Sequence, residues 1–86
     1  MRREAQEDDV RDSTNLDNAR HVTAYLGRRG PLTMATLKDD LAARCGGSKE
    51  RVEYGIARAC RLGWISRSGN AWGITDKGWM SLVEAA

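Results

Sequence analysis

Apolar side chains recur along this chain at helical spacing in four places. In "TNLDNARHVTAYLGRR" Leu16, Ala19, Val22 and Leu26 fall three to four residues apart, and Thr14 with Asp17 has the form of a capping box. The spacing predicts helix one over residues 14–29, closed by "GRRGP" with the only proline, Pro31. In "LTMATLKDDLAARC" Thr33 is an N-cap candidate and Met34, Leu37 and Leu41 share a face, which predicts a short helix two that "CGGS" stops with two glycines. Ser48 caps the third run, "SKERVEYGIARACRLG", in which Val52, Ile56, Ala59 and Cys60 form an apolar stripe and Gly63 supplies the stop. Gly55 inside that helix costs up to about 1 kcal/mol against alanine, a cost accepted where a second backbone comes close.

The pattern then changes period. Trp64 to Arg67 and Ala71 to Ile74 are short β-prone runs around Ser68, Gly69 and Asn70, whose glycine and asparagine tolerate the positive φ of a tight turn, so a hairpin is predicted. Thr75 then caps "DKGWMSLVEAA", a fourth helix with Trp79, Leu82 and Val83 on one face and Asp76 at the positive end of its dipole. The expected class is mainly α with a small β-hairpin. A lone hairpin is barely stable in water, so Trp64 and Trp72, one from each strand, are expected to rest it on the helices.

This order of elements, with "LGWI" at 62–65 and "AWGITDKG" at 71–78, resembles the winged helix-turn-helix domains of MarR-type and PadR-type regulators over residues 15–80. "LGWI" is similar to their step from recognition helix into wing, and "AWGITDKG" to the segment that closes the wing and opens the next helix. The resemblance implies a three-helix core, a two-stranded wing and a C-terminal helix. It also implies sequence-specific binding of double-stranded DNA by a small transcriptional regulator, with helix 48–62 in the major groove and the 66–71 wing on flanking DNA. Base contact falls to the first half of that helix, here Lys49, Glu50, Arg51 and Tyr54, while Arg58 reaches phosphate. The wing tip, Arg67 with Ser68 and Asn70, meets the minor groove or backbone. In the Z-DNA-binding branch of winged helices an asparagine and a tyrosine are expected where this chain has Glu53 and Ala57, so that branch is disfavoured.

Charge separates the chain into two parts. Residues 1–12 carry three arginines against five acids with little to bury, which predicts a disordered acidic tail over 1–13; the folded domain is then 14–86. The other 74 residues hold 11 basic and 7 acidic side chains, a net charge of +4. On a helical wheel with Val52 at zero, Ile56, Ala59 and Cys60 lie within about 80° of it. Arg51, Tyr54, Arg58 and Arg61 occupy the other side, within an arc of about 80°. Arginine can fork onto guanine O6 and N7 or bind phosphate, and Lys49 adds charge at a helix N-terminus that itself attracts phosphate. Water alone also selects a charged helix face, and Glu50 and Glu53 would repel phosphate, although a glutamate can accept from cytosine N4. Arg28, Arg29 and Lys38 are further phosphate candidates, and equally ordinary surface charges.

Chemistry beyond binding is poorly supported. Cys45 and Cys60 lack the paired spacing of a zinc site and are read as reduced, structural thiols. His21 has no partner at ligand spacing, and the neighbours Asp39 and Asp40 point in different directions along a helix. The expectation is therefore a non-enzyme with no cofactor and no metal. No apolar run reaches membrane-spanning length and no secretory signal is evident, so an intracellular, cytoplasmic protein without membrane contact or small-molecule substrate is expected. A homodimer joined through helix one, helix four or both would present two reading heads. The rival reading is a protein-interaction adaptor of the same fold, recognisable by an exposed apolar patch to which Trp79 would contribute.

Overall fold

Val22 and Leu26 of the first stripe, Leu37 and Leu41 of the second and Val52, Ile56 and Ala59 of the third are all buried, and they close on one another as a single core with Ala19, Cys45 and Ile65. The computed structural model describes residues 2–45 and 47–85, with side chains described for 14–45 and 47–84. In order the elements are α1 (Arg2–Arg29), β1 (Leu32–Thr33), α2 (Met34–Leu41), α3 (Lys49–Arg61), β2 (Ile65–Ser68), β3 (Ala71–Ile74) and α4 (Asp76–Ala85). The molecule is mainly helical, with one small antiparallel sheet.

Helical backbone begins at Arg2, so the acidic segment predicted as a tail continues α1 without a break. Its arginines, glutamates, glutamine and alanine are all compatible with a helix; the side chains of 2–13 lie outside the described residues. At the other end, Gly30 takes φ +83° and its N–H donates to the Leu26 carbonyl at 2.8 Å, which turns the chain toward Pro31. Thr33 caps α2 as expected, its Oγ1 accepting from the Thr36 N–H at 3.3 Å. The helix is shorter than its apolar spacing suggests: residues 42–45 are turns, and Gly47, at φ +77°, ends them. Gly46, half of the predicted stop, lies outside the described residues.

α1 packs mainly along α3, and Gly55 is what lets them meet. A Cβ built on it would stand 3.0 Å from the backbone carbonyl of Asn18, so the glycine answers a close crossing. Buried Thr23 satisfies itself by donating to the Ala19 carbonyl at 2.8 Å.

Two expectations change at the sheet. The hairpin is not a two-stranded unit: β1 adds a third strand, in the order β1-β3-β2, pairing Leu32 with Trp72 and Thr33 with Ala71. β3 is therefore bonded on both sides, which steadies a hairpin that would be marginal alone. Trp64 is also not in a strand. It follows Gly63 (φ +79°), and the Trp64 N–H donates to the Ala59 carbonyl (2.9 Å) while the Gly63 N–H donates to Cys60 (3.0 Å), the paired bonds of a Schellman stop. Both tryptophans are part-buried against the core, as expected.

Candidate functional site

α3 is fixed at both ends and across its length, which makes its outer face a rigid surface. At its start Ser48 Oγ accepts from the Arg51 N–H at 3.3 Å; at its end the Schellman bonds close on Gly63. Val52, Ile56 and Ala59 anchor the inner face. Two ion pairs tie α3 to α2: Lys38 with Glu53, and Lys49 Nζ with Asp39 at 3.0 Å. α4 packs on α1, and Arg51, Tyr54 and Arg61 on the outer face of α3 are exposed.

On that face the predicted residues have different circumstances. Arg51 and Arg61 are exposed and, among the described residues, form no ion pair. Tyr54 is 51% exposed and its phenol donates to Glu50 Oε1 at 2.7 Å. Arg58 is half-buried, so its stem contributes packing as well as charge. Lys49 is engaged with Asp39, a partner that spacing along α3 could not reveal. Glu53, which would repel phosphate, is compensated by Lys38. Cys60, placed by its wheel position in the buried stripe, is exposed, because it stands at the edge of the apolar arc; Cys45 is the structural thiol, and burial pushes its pKa up against the opposing pull of Arg51.

The hairpin carries the remaining candidates. Arg67, Ser68 and Asn70 are all exposed. Arg67 lies opposite Trp72 in the register, so both side chains leave the same face of the sheet. Ser68 ends β2 opposite Ala71 and belongs to the strand, not the turn. Of the two turn residues only Gly69 takes positive φ (+63°), the requirement of a type II′ turn; Asn70 does not use the freedom expected of it. Behind the hairpin, Thr75 joins three elements: Oγ1 donates to the Gly63 carbonyl (2.5 Å) and accepts from the Gly78 N–H (3.0 Å), while its own N–H donates to the Trp64 carbonyl (2.9 Å). Gly78 is required there because a Cβ would overlap that carbonyl oxygen.

Between α3 and β3 runs an open apolar groove of about 430 Å³, lined by Met34, Glu53, Ile56, Ala57, Cys60, Arg61 and Trp72. The spacing of no single element announces it, because three elements build it. Asp39 and Asp40 are occupied separately, Asp39 by Lys49 and Asp40 by the Tyr25 phenol, which donates at 2.6 Å and has its pKa raised by that bond and by burial. Among the described residues no three His, Cys, Asp or Glu side chains are grouped as metal ligands, and no helix is long and apolar enough to cross a membrane. No family model matches the chain, and neither a curated protein nor a solved structure matches it.

Proposed function

We propose that the chain is a winged helix-turn-helix module that binds double-stranded DNA, laying α3 in the major groove and the β2–β3 hairpin on flanking DNA. The supporting observation is the exposed strip of α3: Arg51 and Arg61 project from a helix clamped on its other faces, with no carboxylate partner among the described residues, while nearby Glu53 and Asp39 are neutralised by lysines. Arginine on a rigid helix suits guanine O6 and N7, or phosphate. Arg67 extends the positive surface onto the hairpin. A module of this kind fits a small intracellular transcriptional regulator.

Titration of labelled duplex at two salt concentrations, with Arg51→Ala and Arg61→Ala beside the unaltered chain, tests the reading. Binding that weakens with salt and in both variants is expected. Affinity flat with salt and equal in all three proteins overturns it.

A second reading has its own support. α4 exposes Trp79 (49%), Met80 (58%) and Val83 (70%), an apolar surface that suits either a second copy of this chain or another protein of a larger complex. We favour the second copy, since two copies give a duplex-binding module two reading heads. Sedimentation distinguishes them: a 9.5 kDa species alone, with and without duplex, removes the homodimer and leaves the adaptor.

A further inference from the structure

Three carboxylates border the arginine strip, and two of them are neutralised, Asp39 by Lys49 and Glu53 by Lys38. Glu50 is treated differently. It lies in the first turn of α3, is exposed, and among the described residues forms no ion pair; its Oε1 accepts instead from the neutral phenol of Tyr54 at 2.7 Å. The helix dipole tolerates a carboxylate at this end. Opposite a phosphate backbone, however, an uncompensated negative charge weakens binding, unless it faces a hydrogen-bond donor.

We infer that Glu50, oriented by the Tyr54 phenol, is a specificity residue that accepts from an exocyclic base amino group, that of cytosine, in the major groove. The inference rests on the duplex-binding reading above. In the major groove guanine and thymine offer acceptors that repel a carboxylate, and adenine sets its N7 acceptor beside the N6 donor, whereas cytosine offers the N4 donor alone. The guanine of the same C·G pair presents O6 and N7, and Arg51, next in sequence and also exposed, has the fork that matches them. The two side chains leave α3 about 100° apart, so the Glu50 contact to cytosine does not require Arg51 to reach the same pair. Tyr54 supplies the orientation: a phenol-to-carboxylate bond is charge-assisted, it restrains a flexible side chain one helical turn away, and it leaves Oε2 without a donor among the described residues.

The test selects duplexes from a random pool with the unaltered chain, Glu50→Ala, Glu50→Gln and Tyr54→Phe, then titrates the selected duplex and versions with single base pairs exchanged. All three substitutions are at exposed positions, and circular dichroism checks that each variant is folded. The unaltered chain is expected to require one C·G pair. Glu50→Ala loses roughly 5- to 150-fold of discrimination at that pair alone. Glu50→Gln moves the preference there toward adenine, which a glutamine can bind through N6 and N7. Tyr54→Phe weakens discrimination at the same pair and at no other. If every variant selects the sequence chosen by the unaltered chain, or if Glu50→Ala only raises affinity for all duplexes alike, Glu50 is a plain repulsive charge and the inference is overturned. If the unaltered chain enriches no duplex, the DNA-binding reading itself fails and takes this inference with it.

Discussion

Gly55 of α3 faces Asn18 of α1 so closely that the carbonyl carbon, its oxygen and the Asn18 Cβ would all stand 3.0 Å from a Cβ on Gly55. Alanine in place of glycine raises helix propensity by about 1 kcal/mol. Overpacking costs about 1 to 3 kcal/mol, and the obstacle here includes helical backbone, which yields less than the end of a flexible side chain. Gly55→Ala is therefore expected to lower stability by about 1 kcal/mol net, read from the urea midpoint. A gain in stability would show that α1 and α3 can separate without loss.

The Thr75 junction predicts a larger effect. Gly78→Ala forces a methyl into the Trp64 carbonyl, with Ile74 also in the way, and is expected to cost about 3 kcal/mol. Thr75→Ala removes the cap on the Gly78 N–H and the donor to Gly63, for about 1 to 2 kcal/mol, while Thr75→Ser keeps both bonds and most of the stability. Thermal unfolding of the three variants should rank them in that order.

The two cysteines should part company chemically. A thiol reagent is expected to label Cys60 quickly and Cys45 only as the protein unfolds, giving one fast thiol per native chain of the two present. Burial raises the Cys45 pKa above its unfolded value, so the folded state holds that proton more tightly. Its contribution to stability is complete below about pH 8.5 and is lost as pH rises through the folded pKa. Urea midpoints measured at pH 7 and pH 10 should show a fall that Cys45→Ala reduces.

Lys49 offers a prediction about binding. Asp39→Asn removes its partner, frees the ammonium and deletes a negative charge beside the strip. Duplex affinity should rise and its salt dependence steepen by roughly one phosphate contact, a slope change of about 0.9. Stability should move by less than about 1 kcal/mol, since the pair is exposed. Unchanged affinity in a titration over salt would place Lys49 away from the duplex.

Much of this architecture was legible because the informative signals are local. Leu37 and Leu41, or Val52, Ile56 and Ala59, declare a helix and its inner face by spacing alone, and Gly63 declares where the third helix stops. Gly55 could be read as a close approach, although not against which residue. What escaped depends on pairing between distant segments. Leu32 and Thr33 are too few to show a period, and they become a strand only because Trp72 and Ala71 lie beside them. Asp39 meeting Lys49, and Lys38 meeting Glu53, depend on how α2 and α3 are set across their turn, so the sequence offers the charges without the couples. At the site, the outward position of Arg51 and Arg61 followed from the wheel, while the hold of Tyr54 on Glu50 needed rotamers.

The central place of β3 limits how this hairpin can be altered. Its inner strand is laced to the short stretch between the first two helices through two paired positions, beside the four that join it to its own return strand, so bending the tip also tugs on the start of α2. An engineer who transplants a longer or differently charged loop here has to bring a matching rung for Leu32 and Thr33, or the graft will hang from one seam instead of two.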